Sequence, residues 1–100
     1  MEPEACRSMS DVRVGVDDLD KTIVALLSKR FRFMEAAARI KAERSEVRDE
    51  QRRRDVIDHA RAVAERHGAP ANVITDLYDR LVEASIAYEL KCFDRDRGAA

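Results

Sequence analysis

A single hydrophobic rhythm occupies the first half of the chain. Val12, Val16, Leu19, Ile23, Leu26, Phe33, Ala37 and Ile40 recur in steps that alternate four and three, and Arg30 takes the one slot without an apolar residue. That is a heptad seam sustained over four repeats. No proline interrupts it, and Gly15 is the only weak helix former inside it. Ser10 suits an N-cap and Asp11 a first turn, where the helix dipole favours negative charge. The spacing predicts one helix over residues 11–43. At 1.5 Å per residue such a helix is roughly 50 Å long, whereas a chain of 100 residues packs to a radius of gyration near ~13 Å. The rest of the chain cannot wrap it. The seam therefore calls for another molecule, most simply a second copy in a two-fold dimer.

The remainder reads as two more helices. Residues 44–50 are polar and break the heptad, which predicts a loop. A helix over 49–67 presents Val56, Ile57, Ala60, Val63 and Ala64 inward. Gly68 suits the position just past its end, and Pro70 the first position of the next helix. That third helix is expected over 70–94, with Val73, Ile74, Leu77, Leu81, Ile86 and Phe93 as its apolar stripe. Residues 1–9 and 95–100 read as flexible termini around one domain. With 3 glycines and 2 prolines the chain lacks the turns of a sandwich or barrel, so the fold class is all-α.

Several functions are disfavoured at once. Nineteen Lys and Arg against 20 Asp and Glu leave a net charge of −1, without the basic footprint of a nucleic-acid binder. The run VRDEQRRRD is broken by Asp49, Glu50 and Asp55 and reads as a solvated face. No apolar run approaches the ~18 residues of a membrane span, and the acidic, polar start does not read as a secretory leader. A cytoplasmic location is expected, with Cys6 and Cys92 as reduced thiols. His59 and His67 lie too far apart for one metal face, and no glycine-rich nucleotide cradle is present. Neither metal nor cofactor is expected.

Candidate site residues are those that break the local pattern. Arg30 sits in an apolar slot, where an unpaired guanidinium must meet an anion or snorkel to water. Lys41 follows eleven residues later, which on a helix is three turns plus ~20°. The two cations then share a face, with small Ala37 and Ala38 between them. That arrangement suits a small dianion. Arg13 lies ~100° around the helix from Arg30; in an antiparallel pair of long helices it falls near the partner's later turns. Ser85 and Glu89, spaced i, i+4, share a face within the third helix's apolar stripe and need partners there.

These residues, in this order, resemble the AroQ-class all-helical chorismate mutases and their relatives, the isochorismate pyruvate-lyases. The matching pieces are DVRxxVDDLDKTIVALLSKR with Arg13 and Arg30, AAARIKA with Lys41, VRDEQRRRDV with Asp49 and Arg52, and VEASIAYELK with Ser85 and Glu89. The opening PEAC and closing RGAA are similar to the lyase branch. The resemblance implies an intertwined homodimer with two identical sites, each taking Arg13 from the partner chain. It implies that Arg30 grips a substrate carboxylate and that Lys41 contacts the ether oxygen and a carboxylate. It puts Asp49 near the ring hydroxyl, with Arg52 and Ser85 at the carboxylate end. Glu89 stands where Gln is common, and must carry a proton to donate to the ether oxygen. Arg53 stands where the best-known mutases have a second acid.

The implied chemistry is the pericyclic rearrangement of chorismate to prephenate, in aromatic amino acid biosynthesis. It needs no nucleophile, metal or cofactor. The protein holds a dianion in its reactive conformer and stabilises charge building on the ether oxygen. VRD followed by Arg52, with Ser85 downstream, favours the mutase. The alternatives are the lyase, which converts isochorismate to salicylate and pyruvate for a siderophore pathway, and a non-catalytic helical interaction dimer.

Overall fold

The computed structural model describes residues 1–98. It is all-helical, with no strand among the described residues. Three α-helices follow in order: α1, Met9–Ile40; α2, Glu50–Arg66; and α3, Ala71–Asp96. Single 3-10 turns occupy Pro3–Ala5 and Arg44–Glu46. The chain forms two compact units, Met1–Phe33 and Met34–Ala100. No helix of the described residues is long and apolar enough to cross a membrane. Cys6 and Cys92 are both free.

In the first unit, α1 begins two residues before the expected start. Ser8, not Ser10, caps it: the Asp11 amide donates to Ser8 Oγ at 3.1 Å, and the Arg7 amide donates to Asp11 Oδ2 at 3.0 Å. This pairing differs from a capping box in that its second bond goes to the amide before the cap, and it uses a hydroxyl and an acceptor three residues apart. Ser8 has Asp11 at that distance, whereas Ser10 has Arg13, which accepts nothing. The seam residues beyond this cap are uncovered in the single chain, with Leu19 and Leu26 exposing 60 % and 63 % of their surface.

The second unit holds the core. Ala38, Val47, Val82, Ile86, Cys92 and Phe93 form one buried cluster, with Val56, Tyr88 and Leu90 packed against it. α2 packs on α3 and buries Ala60 and Ala64, while Val56, Ile57 and Val63 are half-buried. Between these helices the chain reverses at Gly68, which has φ +69°. The Gly68 amide donates to Glu65 O at 3.2 Å and the Ala69 amide to Ala64 O at 2.9 Å. These are the paired bonds of a Schellman end, which requires a left-handed residue where only glycine sits without strain. Pro70 is the cap of α3 rather than its first helical residue.

Two helix ends and one stripe differ from expectation. α1 stops at Ile40, not at 43, because the backbone beyond it bonds elsewhere: the Glu43 amide donates to the Glu46 carboxylate at 2.8 Å, opening the Arg44–Glu46 turn. α3 continues to Asp96, and Arg97, expected to fray, is held by three carbonyls. Residues 99–100 of the expected flexible tail lie outside the described residues. On α3 the expected apolar stripe is not one face. Val73 and Leu77 are exposed, and the buried set is Thr75, Val82, Ser85, Ile86, Glu89, Cys92 and Phe93. Nine residues turn a helix through about 180°, so Val73 faces away from Val82.

Candidate functional site

The second unit brings Lys41 and Glu89 together. Lys41 follows the last residue of α1, and its amide still donates to Ala37 O at 2.9 Å. From there the ammonium reaches α3 and donates to Glu89 Oε2 at 2.8 Å. Only 5 % of the Glu89 side chain is exposed, against 29 % for Lys41. The carboxylate is thus enclosed while the ammonium retains access to solvent. A buried carboxylate is very costly without a partner, and Lys41 supplies one.

Ser85 lies one turn before Glu89 on the same buried face of α3. Its hydroxyl donates to Leu81 O at 2.6 Å, back along its own helix. Asp49 is the N-cap of α2, where its Oδ1 accepts from the Arg52 amide at 3.0 Å. Asp49 and Arg52 are both exposed. In the first unit, Arg13 is exposed and Arg30 half-buried on α1. Thus Lys41 is paired with Glu89, Asp49 with the Arg52 backbone, and Ser85 with a main-chain oxygen.

Arg53 has a partner set that local spacing does not reveal. Its guanidinium bonds Asp79, and its Nε donates to Glu83 Oε1 at 3.2 Å. Arg48 grips the same Glu83 through both nitrogens, at 3.2 and 2.6 Å. Arg48, just before α2, and Arg53, in its first turns, thereby clasp α3. Arg48 holds the Glu83 carboxyl below the usual carboxylate range, and Arg53 adds to the effect. Arg53 is thus a cation committed to α3.

A second tie joins the α1 end to α3 beside Glu89. Tyr88 donates from its hydroxyl to Glu35 Oε2 at 2.7 Å. That bond to a carboxylate, with burial and the nearby Cys92 thiol, pushes the phenol up to about 12. Sequence periodicity missed both members, since they lie 53 residues apart. The one available signal is that Tyr88 adjoins Glu89 on a face that must be satisfied.

Two clefts are lined by other residues. One of about 600 Å3 is lined by Met1, Pro3, Cys6, Val12, Gly15 and Leu19 in the first unit. Another of about 380 Å3 lies between α2 and α3 and is lined by His59, Val63, His67, Ile74 and Tyr78. Neither contains a residue of the expected site.

The chain is 30 % identical over 98 residues to an isochorismate pyruvate lyase of Pseudomonas aeruginosa, covering 98 % of this chain and 97 % of that protein. Residues 12–90 match the family described as chorismate mutase type II. With a full-length relative, an all-helical fold and a match over most of its sequence, the chain belongs to the chorismate mutase type II family.

Proposed function

We propose that the chain is a chorismate mutase that rearranges chorismate to prephenate without a cofactor, within aromatic amino acid biosynthesis. The observation that carries this reading is the enclosed Lys41–Glu89 pair. In the proposed complex Lys41 turns from Glu89 to the substrate, contacting the ether oxygen and a carboxylate. Glu89, carrying a proton drawn from solvent on binding, donates to the same ether oxygen. Charge builds on that atom as the C–O bond breaks and the C–C bond forms, so donors fixed there lower the barrier. Arg30 holds a substrate carboxylate; Arg52 and Ser85 line that end, and Asp49 lies toward the ring hydroxyl.

Arg13 comes from the partner chain in an intertwined homodimer. Support for the dimer is the uncovered stripe of Val12, Val16, Leu19, Ile23 and Leu26, since contiguous exposed apolar patches mark interaction surfaces. Two free cysteines accord with a cytoplasmic location.

A second reading is an isochorismate pyruvate-lyase that yields salicylate and pyruvate. It is favoured by the full-length relative of that name and by Arg53, which stands where the resemblance implies a second acid. Incubation of the purified chain with chorismate and, separately, isochorismate tests both. Prephenate from chorismate as the faster reaction supports the mutase. Salicylate with pyruvate from isochorismate as the faster reaction replaces it with the lyase. No turnover by an intact dimer leaves the non-catalytic interaction dimer.

A further inference from the structure

We propose that Arg97 is a positioning residue for Lys41, a guanidinium clamp that fixes the lysine's backbone while its side chain moves between Glu89 and the substrate. This rests on the substrate-binding role proposed for Lys41. The need for a clamp follows from where the helix ends. Lys41 lies beyond Ile40, so its carbonyl receives no bond from a following turn of α1. Terminal carbonyls of a helix must find partners outside it, and a cation is favoured there by the dipole.

Arg97 meets both requirements. Its Nη2 donates to Lys41 O at 2.7 Å, and its Nη1 to Ala38 O at 3.1 Å. The Nη1 group also reaches Phe93 O, at 3.4 Å. The planar group lies 3.5 Å from the centroid of the Phe93 ring, which is itself in the core. A cation stacked on an aromatic face and forked onto two carbonyls has few ways to move. Lys41 is therefore tied to α3 twice, by its backbone through Arg97 and by its ammonium through Glu89. When substrate draws the ammonium away, the backbone tie remains. A lysine could replace the charge but not the fork.

The test combines kinetics with a structural readout. Arg97→Ala is expected to lower kcat about tenfold to a hundredfold, the loss that follows from misplacing a reacting group by about 1 Å. KM is expected to change less, and the melting temperature is followed in parallel. Arg97→Lys is expected to recover only a small part, and added guanidinium ion more of it. In a Lys41→Ala background the Arg97 change is expected to cost no further activity, because the two act through one contact. Additive losses in that cycle overturn the proposal, as does unchanged kcat in Arg97→Ala. Amide hydrogen exchange at Lys41 reads the clamp without substrate: faster exchange in Arg97→Ala supports it and unchanged exchange overturns it. If wild type turns over neither chorismate nor isochorismate, the enzymatic reading fails on its own, and the exchange result still decides the clamp.

Discussion

In residues 34–100, Val82 and Phe93 each expose 7 % of their surface; in residues 1–33, Leu19 and Phe33 expose 60 % and 62 %. Both stretches are helical, and both carry apolar side chains at helical spacing. The second unit closes a core from its own chain, using α2 against α3 and the last residues of α1. The first unit has its cap satisfied and its seam open. Local pattern thus suffices to make a helix in either region, but burial needs a second surface, which only one region finds within the chain.

The sharpest way to break this contrast is Leu19→Asp with Ile23→Asp. On a surface with no further role such changes cost within about 0.5 kcal/mol each. On a seam buried between two copies they remove about 1.5–3 kcal/mol apiece. Sedimentation velocity at micromolar concentration is expected to show a dimer for wild type and its loss, with unfolding, in the variant. A well-folded wild-type monomer breaks the comparison.

The next effect belongs to the site. Arg13→Ala and Arg30→Ala are each expected to be nearly inactive. Refolded together, they are expected to recover about a quarter of wild-type activity, since in the proposed dimer half the pairs are mixed and each mixed pair has one intact site of two. Activity assays on verified heterodimers check this, and no recovery counts against a cross-chain Arg13.

A smaller loss is expected in the self-sufficient unit. In the proposed role of Glu89, Glu89→Ala removes a donor at the ether oxygen and is expected to cost about 10²–10³ in kcat. Glu89→Gln keeps the shape and the donor. It is expected to retain activity. A loss in Glu89→Gln as large as in Glu89→Ala, measured as kcat, removes Glu89 from its proposed role.

The smallest effect concerns the Arg48–Glu83–Arg53 clasp. Arg48 lowers the Glu83 carboxyl from its ordinary value of 4.5. Its stabilisation is present above that value and is lost as pH falls through the lowered one. Glu83→Gln is therefore expected to melt slightly lower than wild type at pH 7, with the gap narrowing below about pH 4.5. A gap that stays constant with pH, measured by thermal melts, shows that the clasp acts through packing alone.

The features legible in the sequence were those written in short-range spacing. The heptad seam, the Gly68 reversal and the order of three helices depend on residues a few positions apart. The exposure of Val73 and Leu77 differs from expectation because the expected stripe joins them to Ile86 and Phe93, although Leu77 and Ile86, nine residues apart, lie about 180° apart around the helix. Ser8 was overlooked because Ser10 stands as close to the seam, and only the acceptor three residues on separates them. For the site, the types and spacing of Lys41 and Glu89 were visible, but their bond spans 48 residues. Arg97 was invisible for the same reason: its carbonyl partners Lys41 and Ala38 lie 56 and 59 residues away, and a lone arginine near an end carries no local pattern.

The Gly68 elbow bears on the order in which this chain assembles. Arg61 meets Thr75 across it at a separation of 14 residues, whereas Arg97 meets Ala38 across 59. Each doubling of a flexible loop adds about 0.6 kcal/mol of closure entropy, so the longer connection, about two doublings, costs about 1.2 kcal/mol more to close. Low sequence separation also favours speed. The α2–α3 hairpin is accordingly the piece that closes first, as a unimolecular event whose rate does not depend on protein concentration. The end of α1 docks on it afterwards, and any step that engages the open seam comes last, with a rate that rises with concentration.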